Sequence, residues 1–146
     1  MHLSHNALIL VADGRKMLLL RNEGDVPHPN LVVEQHREQD NPAAHEQGSD
    51  RPGRSFSSVG WGRSAYSETD YHQLAEDKFA AEAADMLRTR ALSNDYESLI
   101  VIAPPRTLGE LRKHYHKAVS ERLGGEIASD LTGHTVADIE RAIAAA

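Results

Sequence analysis

Leu99-Ile-Val-Ile-Ala103, closed by Pro104-Pro105, is the stretch whose reading decides the fold. It is apolar at every position. A strand of that composition is covered on both faces, as an interior parallel strand of an α/β sheet is. The two prolines stop it. Helical spacing lies on either side. Before it, Ala75, Phe79, Ala83, Met86 and Leu87 recur at intervals of three and four, with charged residues between them. That spacing predicts an amphipathic helix over about 70–92, ended by Ser93-Asn94-Asp95. After it, Thr107-Leu-Gly-Glu110 reads as a capping box. Leu108, Leu111, Tyr115, Ala118 and Val119 line one face of the helix that follows, and Gly124-Gly125 is expected to end that helix. A short strand at 126–131 and a helix over 136–145, opened by Thr135-x-x-Asp138, complete this half.

Toward the amino end, Ala7-Leu-Ile-Leu-Val-Ala12 and Lys16-Met-Leu-Leu-Leu20 flank Asp13-Gly14. Asp-Gly between two apolar runs predicts a hairpin with a type I′ turn, which needs positive φ at both central residues. Strands are expected at 7–12 and 16–21, a turn at 22–30 and a third, more polar strand at 31–36. Residues 37–69 show no periodicity and carry Pro42, Gly48, Pro52, Gly53, Gly60 and Gly62. A loop of about 33 residues is expected there, and loops beyond about 12–15 residues are usually functional or disordered. The order β-β-β-α-β-α-β-α implies an α/β mixed sheet with helices packed on it, in one domain over 1–146.

Composition narrows the chemistry. The chain has 146 residues, 40% hydrophobic and 26% charged, and a mean hydropathy of −0.52, as globular proteins have. It has no cysteine, which excludes disulfides, iron–sulfur clusters, thiolate zinc sites and cysteine nucleophiles. Residues 1–6 are polar and the next apolar run is short, so neither a signal peptide nor membrane insertion is expected and the reading is cytoplasmic. Net charge is −6, so contact with nucleic acid must be local rather than spread over the surface.

Two basic stretches qualify. The strand–loop–helix Ala103-Pro-Pro-Arg-Thr-Leu-Gly109 places Arg106 and Thr107 at a helix N-terminus, with Arg112 further along. Unpaired N–H groups and the positive dipole end there suit phosphate or carboxylate. Residues 51–66 hold Arg51, Arg54 and Arg63 without an acid, interleaved with Phe56, Trp61 and Tyr66. Arginine among aromatics can hold phosphates while bases stack. If both stretches face the same way, an acidic protein presents a small cationic surface. No metal or other cofactor is expected. His114-x-His116 would diverge by about 200° on a helix, His2 and His5 stand near an end expected to fray, and no HExxH or EF-hand spacing occurs. No G-x-S-x-G elbow supports a nucleophile.

Several of these pieces together resemble the bacterial host attachment protein family: the Ala7 to Gly14 stretch, Asp50-Arg-Pro-Gly-Arg54, Phe79-Ala80, the Leu99-Ile-Val-Ile-Ala-Pro-Pro-Arg-Thr-Leu-Gly-x-Leu-Arg112 run and Glu126-Ile-x-x-Asp-Leu-Thr132. That family is similar to the central domain of archaeo-eukaryotic peptide-chain release factors. The resemblance implies a ribonuclease-H-like sheet, in agreement with the element order, and a ribosome- or tRNA-associated factor. Release factors of this type carry Gly-Gly-Gln in the loop after the early strands. Residues 37–69 contain none, and Gly124-Gly125 is followed by Glu126. The resemblance therefore implies an RNA-associated factor more than an enzyme. A module that binds a protein partner, in adhesion or regulation, is the other reading, with its apolar contacts around Phe56, Trp61 and Tyr66. An esterase or nuclease on an RNA-linked substrate ranks last.

Overall fold

The computed structural model describes the backbone of residues 1–39 and 61–146, and the side chains of 1–39 and 71–146. Its elements are β1 (Leu8–Ala12), β2 (Lys16–Asn22), β3 (Leu31–Glu38), α1 (Trp61–Leu92), β4 (Leu99–Ala103), α2 (Pro105–His114), α3 (Lys117–Arg122), β5 (Leu123–Ala128) and α4 (Val136–Ala145). The five strands form one sheet in the order β3-β2-β1-β4-β5. The first three meander antiparallel, and β4 is parallel to both β1 and β5. The mixed α/β sheet read from the element order is therefore present, and its interior parallel strand is the Leu99 stretch.

Alternation along β1 and β4 divides the core. Leu8, Leu10, Leu99, Val101 and Ala103 face Phe79, Ala83 and Leu87 of α1, Leu108 and Leu111 of α2, and Val119 of α3. Ile9, Val11, Ile100 and Ile102 face Ile139 and Ile143 of α4, together with Leu3. All five residues of each strand are buried. Complete burial of one such side chain stabilises by about 1.5–3 kcal/mol, which outweighs any single surface ion pair in holding the layers together.

Several local expectations change. The β1–β2 connection is not a type I′ turn: Asn6 and Asn94 are the positive-φ residues described, and no described glycine has positive φ. Asp13 Oδ1 instead accepts from the backbone N–H groups of Arg15 and Lys16, both at 2.7 Å, so a side chain closes the turn. The stretch expected to be loop at 37–69 is not loop at either end, because β3 runs to Glu38 and α1 begins at Trp61. The helix expected to follow Thr107 starts at Pro105 with Pro104 as cap and no side-chain cap bond, so Thr107 is not a capping residue. It also breaks at Tyr115 and His116, both in extended backbone. Gly124 and Gly125 lie within β5 rather than ending a helix. The capping box at Thr135 and Asp138 is present. The amino end does not fray as expected: Leu3 is buried and His5 Nδ1 lies 2.7 Å from the Gly24 carbonyl.

A charged network ties the opposite edge. Arg21, with its side chain 9% exposed, donates to both oxygens of Glu34, to Asp95 Oδ2 at 2.7 Å and to the Asp95 carbonyl at 2.8 Å. Arg90 of α1 reaches the same two carboxylates. The hydrogen bond from Arg21 holds the Asp95 carboxyl below the usual carboxylate range. Asn22, fully buried, spends its amide on the carbonyls of Leu3 and Ser4 and its oxygen on the N–H groups of Gly24 and Asn30.

Candidate functional site

Parallel strands β1 and β4 end at the same edge, and a groove opens there. It is lined by Gly14 after β1, by Gln73, Glu76, Asp77 and Ala80 of α1, and by Arg106, Thr107 and Glu110 of α2. Ligands of open α/β sheets bind outside the carboxyl ends of strands, where connections diverge. The Glu76 side chain lies over Gly14, where a Cβ would stand 2.6 Å from Glu76 Oε1 unless that side chain moved. Next to Gly14 in the chain, Asp13 Oδ2 lies 2.8 Å from the Thr132 hydroxyl, which is also 3.1 Å from Asp130 Oδ1. A single hydroxyl proton serves the shorter contact, so the segment after β5 is tied to the β1–β2 turn.

The expected site residues separate into four groups. Arg106 and Thr107 both line the groove, in the first turn of α2. Arg106 is exposed, and its guanidinium forms no ion pair among the described residues. Arg112 is committed elsewhere: its Nη2 lies 2.7 Å and its Nε 3.0 Å from Glu126 Oε1 of β5. Tyr115 joins the pair, with its hydroxyl 3.5 Å from Glu126 Oε2; burial and the nearby Glu126 charge push its phenol far up. Arg51 and Arg54 lie outside the described residues, as does Phe56. Arg63, Trp61 and Tyr66 fall in the first part of α1.

Helix α1 nevertheless relates the two stretches. It runs antiparallel to β1: Arg90 bonds Asp95 beside Arg21, whereas Gln73 and Glu76 line the groove at the other edge. Phe79 is the first fully packed residue described along it. At about 1.5 Å per residue, the helix between Arg63 and Gln73 spans about 15 Å. Arg63 thus stands on the part of α1 that continues past the groove holding Arg106. Sequence reasoning missed the acidic wall. Glu76 and Asp77 come from α1, 29 or more residues before Arg106, and only the packing of α1 on α2 brings them together. Glu110 is partly neutralised by Lys113 Nζ at 2.7 Å.

The groove carries no described group of three or more histidine and carboxylate ligands arranged for a metal. The corner at His114 and His116 is extended at Tyr115 and His116, so divergence along a continuous helix is not the reason to discount it. The reason is that His116 Nδ1 accepts from the Ala118 N–H at 2.9 Å, which leaves the proton on Nε2 and no lone pair for an ion. No described helix is long and apolar enough to cross a membrane.

No curated protein matches the chain. A family profile does, over residues 6–143, which takes in every described strand, the groove and all the arginines expected at the site. The chain belongs to Bacterial archaeo-eukaryotic release factor family 12.

Proposed function

We propose that the protein is a cytoplasmic ribosome- or RNA-associated factor with a ribonuclease-H-like, release-factor central-domain fold in one domain, binding phosphates through Arg106 and Thr107 together with Arg51, Arg54 and Arg63. Family membership and the strand order support the fold reading. The observation that carries the binding reading is the exposed Arg106 guanidinium, without an ion pair among the described residues, in the first turn of α2, at a groove that α1 extends beyond. Arg112 is a weaker contributor, because a phosphate must compete with Glu126 for it. Peptidyl-tRNA hydrolysis by the Gly-Gly-Gln route is not part of the reading, since the sequence lacks that tripeptide. Sedimentation with ribosomes at low salt tests it. Wild type should co-sediment, and Arg54→Ala and Arg106→Ala should each weaken the association several-fold. Absence of the wild-type protein from 30S, 50S and 70S pellets would refute it.

A host-attachment or regulatory module that docks a protein is the second reading. Edge strand β3 favours it, because Val32 and Val33 are exposed on a strand paired on one side only among the described residues. That reading expects partner binding that changes little with salt.

A further inference from the structure

The corner between α2 and α3 is closed by a helix cap made by an imidazole. His116 is the N-cap of α3, and its Nδ1 accepts from the backbone N–H of Ala118 at 2.9 Å. A backbone amide can only donate. The imidazole must therefore present a bare Nδ1 and carry its single proton on Nε2. Addition of a second proton converts the acceptor into a donor facing another donor, at the positive end of the helix dipole. The ring then has to leave the cap.

Among the described residues the histidine–carboxylate pairs are His28–Asp25 and His134–Asp138, so no carboxylate is paired with the His116 ring. Glu126 of β5 is taken by Arg112 and approached by Tyr115, and Glu110 of α2 is taken by Lys113. Lys113, His114 and Lys117 are its charged and titratable neighbours in the sequence. Asp77 of α1 acts on Lys113, and Arg122 of α3 bonds the Tyr96 and Ala118 carbonyls and Asn94.

Loss of the cap has somewhere to go. Helix α3 is six residues long, it buries Val119, and its C-cap Leu123 begins β5. A helix this short has little stability of its own and depends on its cap and its packing. We infer that the His116 imidazole is a pH-sensitive latch on α3, closed when neutral and released on protonation. The inference is independent of any RNA-binding role.

Amide and imidazole NMR of the full chain tests it. Near neutral pH, the His116 ring should show an unprotonated Nδ1 and a protonated Nε2. On acidification the Ala118 amide should shift with the midpoint of the His116 ring, and protection from exchange over Ala118–Ser120 should fall about fivefold, the factor associated with losing an N-cap. Replacement His116→Asn supplies a cap that does not titrate, and should abolish that midpoint while leaving the fold intact. His114→Asn should leave it unchanged. An Ala118 amide indifferent to pH, or a midpoint that persists in His116→Asn, would overturn the inference.

Discussion

Arg112 and Glu126 join α2 to β5 through a two-point ion pair, with Nη2 and Nε at 2.7 and 3.0 Å from the same carboxylate oxygen. The pair competes with any anion for Arg112. Replacement Glu126→Gln should therefore free the arginine and tighten binding to single-stranded RNA, whereas Arg112→Ala should change it less than Arg106→Ala does. Fluorescence anisotropy with a labelled oligonucleotide ranks the three. Equal losses for Arg106→Ala and Arg112→Ala would mean that the Glu126 partner does not restrain Arg112.

The acidic wall of the groove sets the sign of a second effect. Glu76 and Asp77 share the groove with Arg106 and lower the local potential. The double replacement Glu76→Gln, Asp77→Asn should strengthen RNA binding a few-fold at low salt, and the gain should shrink as salt shortens the screening length toward about 8 Å at 0.15 M. Unchanged affinity at low salt would place the phosphates away from this groove.

Asp95 links acid stability to the Arg21 network. Its carboxyl titrates below the ordinary value because Arg21 hydrogen-bonds to the charged form. A carboxyl lowered on folding contributes stability that is fully present above the unfolded value near pH 4 and is lost as pH falls through the lower folded value. Replacement Asp95→Asn should cost about 1–3 kcal/mol at neutral pH by leaving the buried Arg21 with fewer charged partners, and should flatten the loss below pH 4. Urea melts across pH 3–7 provide the comparison.

Tyr96 reports at the other end of the scale. It is buried, its hydroxyl donates to the Leu87 carbonyl at 2.9 Å, and burial pushes its phenol up to about 12. A raised tyrosine stabilises the fold below the unfolded value near pH 10 and ceases to do so as pH rises through 12. Absorbance at 295 nm should show Tyr96 and Tyr115 ionising only well above the ordinary tyrosine value near pH 10, together with unfolding. Simultaneous ionisation near pH 10 in a folded protein would contradict their burial.

Two glycines should respond in opposite directions. A Cβ on Gly24 would lie 2.1 Å from the His28 carbonyl oxygen and 2.8 Å from the Asn30 nitrogen, both backbone atoms. Gly109 lies inside α2 with nothing within 4 Å of its Cβ position. Replacement Gly24→Ala should destabilise by more than about 2 kcal/mol, and Gly109→Ala should stabilise by about 0.5–1 kcal/mol through helix propensity. Thermal melts separate the two.

The parts legible in the sequence were those governed by local rules. Unbroken apolar residues marked β4, an Asp-Gly pair marked the hairpin, and Thr135 with Asp138 marked the start of α4. The reason behind the hairpin differed from the expected one, because Asp13 closes the turn with its side chain and Gly14 lies under the Glu76 side chain. The break at Tyr115 and His116 carries no glycine or proline and left no local signal. Gly124 and Gly125 did carry one, but pairing with β4 places them in a strand. Helix α1 continues back to Trp61 through glycine, serine and threonine positions whose apolar spacing does not announce a helix. At the groove, Arg106 was readable from its place after β4. The carboxylates opposite it depend on tertiary packing, which no local pattern encodes.

The salt dependence of RNA binding counts the phosphates that the arginines contact. For single-stranded RNA, the logarithm of the binding constant should fall linearly with the logarithm of salt concentration, with a slope of about −0.7 per phosphate contacted. Removing Arg54 or Arg106 should each make that slope shallower by about one phosphate contact, without altering the fold. A wild-type affinity independent of salt, or slopes unchanged in both variants, would contradict the account.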